Sequence, residues 1–206
     1  IPVAHCDLKK GIWRGDFYVY EKSGFELPGR TAGLIGFGNI GARVSKLLQA
    51  FGMHVLVYDP YVDEKTIAQN GAAKVDLDPL LQQADIVSVH VRLSSETKKM
   101  INKSVFQKMK PTALFVNTAR GGLVNYADLV EALKEGIIGG AALDVYEHEP
   151  LEPGNPLLEL ENVVLTPHIG GSSMETAHRG VSIVIDDFLR ILSGQRPLYC
   201  MNPEVL

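Results

Sequence analysis

Three glycines at fixed spacing, Gly36-x-Gly38-x-x-Gly41, constrain this chain more than any other feature. They follow a run that reads as a buried strand, Thr31–Ile35, and open a helical pattern over Ile40–Phe51. That pattern sets Ile40, Val44, Leu47, Leu48 and Phe51 on one side. A second strand-like run, Val55–Tyr58, ends on an acid, Asp59. Each part has a physical task. Gly36 permits the tight strand-to-helix turn, Gly38 lets a diphosphate approach bare backbone, and Gly41 lets helix and strand pack closely. The helix N-terminus offers unpaired N–H groups and the positive end of its dipole. Asp59 stands where a carboxylate accepts hydrogen bonds from a ribose. Glycines at this spacing also occur in ordinary tight turns, and an acid there can simply cap the next loop. The strand, the helix and the acid together favour a dinucleotide site.

The same alternation continues down the chain. Strand-like runs lie at Ile86–Val91, Ala113–Asn117, Ala141–Val145 and Val163–Thr166, with a weaker one at Ala73–Val75. Several are apolar on successive residues, as expected of strands covered on both faces in a parallel sheet. Helical stretches sit between them at Asp76–Gln83, Lys103–Met109 and Ala127–Lys134, the last stopped by Gly136. This order predicts an α/β fold with a doubly wound parallel sheet of the Rossmann type. A short helix, Ala4–Lys10, precedes it, and an irregular Gly- and aromatic-rich connector, Trp13–Pro28, joins the two. A long helix over Ser173–Ser193 follows, with Ser172-x-x-Glu175 resembling a capping box and Gly194 closing it. Its apolar positions, among them Val181, Val184, Ile185, Phe188 and Leu192, recur at helical spacing and require a packing partner.

Bulk properties narrow the classes. A net charge of −4 argues against broad binding to nucleic acid or anionic membranes. No apolar run approaches membrane-spanning length, and the N-terminal residues do not form a signal-peptide core. The two cysteines, Cys6 and Cys200, lie near opposite ends, which disfavours a disulfide framework or a zinc site and points to a reducing, cytoplasmic setting. Glu147-His148-Glu149 is a poor metal site because adjacent residues do not converge on one ion. His5, His54 and His178 read as structural or surface residues, and His90 as a neighbour of the cofactor without chemical work. The abrupt start at Ile1, in a helix remnant, reads as a truncated chain.

Three polar segments fall at strand ends: Asn117 to Gly122, Asp144 to Pro150, and Thr166 to Gly171. Together with the glycine motif and Tyr58-Asp59-Pro60, they occur in the order found in the D-2-hydroxyacid dehydrogenase family. Over residues 5–172 the chain closely resembles that family. The Gly170-Gly171-Ser172-Ser173 ending is most similar to its phosphoglycerate dehydrogenase branch.

The resemblance implies an oxidoreductase that passes hydride between NAD(H) and a D-2-hydroxy acid or 2-keto acid. It implies catalytic roles for Arg120, Glu149 and His168. Arg120 offers a planar fork to a substrate carboxylate, and His168 exchanges the proton of the reacting oxygen. Glu149 would hold the far ring nitrogen and favour the imidazolium. Alone, Arg120 would more often be a surface ion pair and His168 a structural loop residue, and Glu147 rivals Glu149. Cofactor contacts carry over to Gly36, Gly38, Asn39, Ile40, Gly41, Asp59, Val91, Thr118, Ala119, Asp144 and Gly170. Asp59 favours NAD, since a carboxylate repels a 2′-phosphate and no Arg or Lys immediately follows it.

The resemblance further implies a homodimer and two regions: a cofactor domain over 1–172, and a C-terminal helix and tail over 173–206 that would pack on a largely missing substrate domain. Two departures stand out. Arg92 replaces the family's proline two residues after His90, adding a cation beside the cleft. Asn125-Tyr126 replaces a commonly acidic pair, which reads as a surface change of little consequence. Two other functions fit the same motifs: an NAD-sensing interaction module like the family's co-repressor relatives, and an isolated cofactor domain.

Overall fold

The computed structural model describes residues 2–20, 23–200 and 202–205. The chain divides into two compact units, Ile1–Pro167 and His168–Leu206. In the first, seven parallel strands form one sheet: β1 (Thr31–Ile35), β2 (His54–Tyr58), β3 (Ala73–Lys74), β4 (Ile86–Val89), β5 (Leu114–Asn117), β6 (Gly140–Leu143) and β7 (Val163–Leu165). Their spatial order is β3-β2-β1-β4-β5-β6-β7. The chain winds outward from β1 in one direction and from β4 in the other, so the order reverses between them. That reversal is where open α/β sheets hold ligands.

Register places the strand ends in one row. Ile35 pairs with Tyr58 on one side and Val89 on the other, Val89 with Asn117, Asn117 with Leu143, and Leu143 with Leu165. The residues that follow are Gly36, Asp59, His90, Thr118, Asp144 and Thr166, so the polar segments singled out in the sequence leave the sheet along a common edge.

The unbroken apolar runs have a direct cause. In β1, Leu34 joins a cluster with Phe37, Val55, Val57 and Ile67, while its neighbour Ile35 joins another with Val87, Val89, Phe115 and Leu123. Successive side chains feed opposite faces. Each large side chain so buried contributes roughly 1.5–3 kcal/mol. The opposite edge of the sheet is fastened by Asp85, whose carboxylate takes the Thr31 N–H at 2.8 Å and Lys110 Nζ at 2.9 Å. Burial opposes its ionisation, but those partners and Arg30 outweigh it and hold the carboxyl below its ordinary value.

The helices are α1 (Pro2–Lys9), α2 (Asn39–Ala50), α3 (Glu64–Gln69), α4 (Leu77–Gln83), α5 (Lys103–Phe106), α6 (Tyr126–Lys134) and α7 (Met174–Leu192). Several bounds differ from the sequence reading. β4 stops at Val89 and β6 at Leu143, yet Val145 is 1% exposed, because burial continues past the hydrogen-bonded ladder. α5 ends at Phe106, and Lys108 and Met109 continue it only as i→i+3 turns. α3 went unanticipated; at six residues it is too short to show a period, and Asp63 starts it by accepting from Thr66 N. A short 3-10 turn, Gly15–Tyr18, interrupts the connector.

In the second unit, α7 begins one residue later than the capping-box reading. Ser173, not Ser172, is the cap and accepts from Thr176 N at 3.1 Å. Gly194 closes it at φ 72°, and Asp187 draws the tail back by accepting from Leu198 N at 2.6 Å and Tyr199 N at 2.8 Å. Its apolar residues Val181, Val184, Ile185, Phe188 and Leu192 are exposed. Both cysteines are free thiols. No helix among the described residues is long and apolar enough to cross a membrane, and no metal-ligating cluster occurs among them.

Candidate functional site

A cleft opens above the reversal point in two lobes. One, of about 570 Å³, is lined by Gly36, Gly38, Tyr58, Asp59, Tyr61 and Thr97, among others. The other, of about 590 Å³, is lined by Ile40, Leu93, Thr118, Ala119 and Arg120. His90, Val91 and Arg92 line both. These volumes lie within the ordinary range for small-molecule sites.

The glycine turn is made by close backbone approach. A Cβ on Gly41 would strike the Gly36 carbonyl oxygen, and one on Gly36 would come within 2.8 Å of Val91 Cγ1 and 2.9 Å of the His90 carbonyl carbon. Gly36 also has φ +99°, a left-handed value that favours glycine. Gly38 differs: nothing lies within 4 Å of where its Cβ would be. It is the N-cap of α2 and supplies no side-chain bond, so the first N–H groups of α2, from Asn39 and Ile40 onward, face that space uncapped.

Asp59 does what both readings allowed. Its Oδ2 accepts from Phe37 N at 2.8 Å, and its Oδ1 from Tyr61 N at 2.8 Å and Val62 N at 3.2 Å. It caps the following loop and ties it to the glycine turn, while still lining the cleft. His90 is mostly buried on the shared wall with Nε2 3.0 Å from Ser88 Oγ, and burial pushes its pKa down to about 4. It therefore stands neutral at physiological pH.

On the other side, the Thr118–Arg120 loop is held by one buried amide. Asn117, fully buried, donates from Nδ2 to Arg120 O at 3.0 Å and accepts at Oδ1 from Ala119 N at 3.0 Å. Arg120 is exposed and donates to the Ala119 carbonyl at 2.6 Å. Gly121 follows because a Cβ there would overlap the Tyr146 carbonyl. The loops after β5 and β6 are thus in backbone contact.

The β6 loop carries Asp144 and Glu149. Asp144 is 4% exposed; its N–H donates to Asn117 O at 3.0 Å, and its Oδ1 accepts from Thr166 Oγ1 at 2.5 Å. Glu149 Oε1 accepts from Tyr146 N at 2.9 Å, whereas Glu147 is engaged by Lys99 at 2.8 Å. Tyr146 donates its hydroxyl to Thr166 O at 2.9 Å. Tyr126 corrects the reading of a surface change. It is half-buried, its hydroxyl donates to the Val145 carbonyl, and its ring lies 6.5 Å from that of Tyr146. Burial, then the proximity of Tyr146 and Glu149, raises its pKa well above the ordinary value. The sequence held no signal for this, since the bond runs to a backbone carbonyl nineteen positions away.

His168 and Gly170 open the second unit. His168 follows Thr166-Pro167 directly, is exposed, and has φ 53°. In the first unit the structure brings the glycine turn, Asp59, Val91, Thr118, Ala119 and Arg120 to one cleft, with Asp144 on the next strand end.

The sheet order, the glycine turn and its acid define a dinucleotide-binding domain of the dehydrogenase type. Residues 1–170 match the family described as D-isomer specific 2-hydroxyacid dehydrogenase, NAD binding domain, and the chain belongs to that family. It is 44% identical over 194 residues to a D-3-phosphoglycerate dehydrogenase of Archaeoglobus fulgidus, covering 94% of this chain and 36% of that protein. It is 43% identical over 201 residues to a glyoxylate reductase of Thermofilum pendens, covering 97% and 59%. Among solved structures, D-lactate dehydrogenase with NAD+ from Lactobacillus jensenii superposes with a TM-score of 0.85 at 29% identity, covering 97% of this chain and 62% of that one. The relatives are named for dehydrogenase and reductase activities, which lends the co-repressor reading no support. The chain spans between 36% and 62% of their lengths.

The cofactor of this domain is NAD, and the residues present fit it. The open space at Gly38 admits a diphosphate, the uncapped N–H groups of α2 meet its charge, and Asp59 faces the lobe that suits a ribose.

Proposed function

We propose that this chain carries the cofactor site and catalytic groups of an oxidoreductase that moves hydride between NAD(H) and a small D-2-hydroxy acid or 2-keto acid, a 3-phosphoglycerate-like acid being one candidate. The observation that carries the reading is the single row of strand ends, from which Asp59, Arg120, Asp144 and the segment leading to His168 all depart. NAD supplies the hydride acceptor or donor when bound. The chain's own residues orient and protonate. Arg120 binds the substrate carboxylate with its fork and polarises the adjacent carbonyl. Asp144 holds the carboxamide end of the cofactor. His168 gives a proton to the carbonyl oxygen during reduction and takes it back during oxidation, and Glu149 orients its ring. Exposed Arg120 suits a ligand-facing role, and the Tyr146 N–H fixes Glu149 at the loop's outer end.

The test is turnover of small 2-keto acids with NADH. Replacing His168 with Ala is expected to lower kcat by about 10²–10⁴-fold with little change in NADH affinity. A loss of no more than a few-fold removes His168 from this role. We further propose a cytoplasmic homodimer that binds neither nucleic acid nor membrane, supported by the acidic balance, the two free thiols and the exposed apolar side of α7. Light scattering that gives a monomer at micromolar concentration would overturn the dimer.

A further inference from the structure

Arg92 stands where two features of the cleft meet. It lines both lobes, the one with Asp59 and the one with Arg120, and so belongs to the middle of the groove rather than to either end. Its backbone is fixed there from both sides. His90 N donates to Ile35 O at 2.7 Å, and the near contacts of Gly36 with His90 and Val91 press this segment against the glycine turn. On the far side, the Arg92 carbonyl accepts from Thr97 Oγ1 at 2.7 Å, and Thr97 Oγ1 in turn accepts from Ser94 N at 2.8 Å.

The guanidinium itself is exposed, and among the described residues it makes no ion pair or side-chain hydrogen bond. The carboxylates of its lobe are otherwise engaged: Asp59 with three backbone N–H groups, and Glu96 with the Tyr61 hydroxyl at 3.5 Å. His90 beside it is neutral, held by burial near a pKa of about 4. On this shared wall, Arg92 is therefore the fixed positive charge.

A dinucleotide laid through both lobes has its adenosine toward Asp59 and its nicotinamide toward Arg120. Its two negative charges, on the diphosphate, then fall at the middle, over Gly38 and the uncapped start of α2. We propose that Arg92 closes this diphosphate site from the opposite wall, so that the phosphates lie between helix N–H groups on one side and a guanidinium on the other. Arg suits the task because its planar fork gives paired, charge-assisted hydrogen bonds to phosphate oxygens. The assignment depends on NAD binding alone and not on which acid the enzyme reduces.

Calorimetry with ADP-ribose, ADP and adenosine (adenosine by displacement) separates the possibilities, using the unaltered chain, Arg92→Met and Arg92→Lys. Arg92→Met is expected to weaken ADP-ribose and ADP by about tenfold at low ionic strength and less as salt rises, with adenosine unchanged. Arg92→Lys should recover part of the loss. Equal affinities for ADP in the unaltered chain and Arg92→Met would overturn the proposal. So would equal weakening of ADP and adenosine, which would place Arg92 on the base. If ADP is unaffected while the KM for a doubly anionic keto acid rises, the guanidinium serves the substrate instead and the proposal fails. Thermal melts of both variants confirm that binding is compared between folded proteins.

Discussion

The turns after β1 and β5 bound the same cleft and are built on opposite principles. The first is held by what is missing: Gly36 and Gly41 bring two backbones into contact that any side chain would separate. The second is held by what has been added. Asn117 is buried to supply two hydrogen bonds to its own loop, and Tyr126 and Tyr146 brace the loop that packs against it. A turn made by vacancy is rigid because nothing else fits. A turn made by buried polar groups is rigid only while each partner remains.

The largest effect should come from filling the vacancy. Gly41→Ala forces the Gly36 carbonyl aside, and we expect a loss of about 3 kcal/mol or more in urea denaturation. NAD binding by calorimetry should fall with it. Asn117→Ala breaks the other kind of turn. It strands the Ala119 N–H and leaves the Arg120 carbonyl only its longer bond from Leu123 N at 3.3 Å, at a cost of about 2 kcal/mol. Binding of ADP should survive that change, because the adenosine lobe is untouched. If ADP affinity falls as far in Asn117→Ala as in Gly41→Ala, the two turns are one cooperative unit and the contrast is wrong.

His90 sharpens the comparison as a titratable group on the wall of the first turn. Its folded pKa of about 4 lies below the ordinary 6.5. Below about pH 6.5 the unfolded chain takes up a proton that the folded one refuses, so stability present at neutral pH is lost as pH falls toward 4. Discounted for residual exposure, the loss is about 2 kcal/mol. Urea midpoints for His90→Gln should be flatter across that window than those of the unaltered protein. The smallest effect belongs to Tyr126→Phe, which removes one hydroxyl and should cost about 1 kcal/mol in thermal or urea unfolding. Its sign matters more than its size, since a surface tyrosine would show no change.

These contrasts explain which parts were readable in the sequence. Vacancies leave glycines at fixed spacing, and burial on both faces leaves unbroken apolar runs, so β1, α2, the sheet class and the order of the polar segments were all legible. Strand ends were overrun because Val91 and Val145 pack as if they were still in the sheet, although pairing has ceased. The bracing of the second turn was hidden. Asn117 reads as one polar residue among several, and the targets of Tyr126 and Tyr146 are backbone carbonyls, which leave no trace in side-chain type. Arg92 was visible only as a departure from a pattern, and its place in the middle of the groove needed the folded chain.

The three backbone donors to Asp59 set a limit on how this protein could change its cofactor. A carboxylate at this point suits a free ribose 2′-hydroxyl and repels a 2′-phosphate, so a change of preference calls for its exchange. Here that exchange would also unfasten Phe37 from the following loop, loosening the glycine turn that either nucleotide requires. Preference and scaffold are inherited together, so a successful switch would need a second substitution to re-anchor the turn before any gain toward a 2′-phosphate became visible.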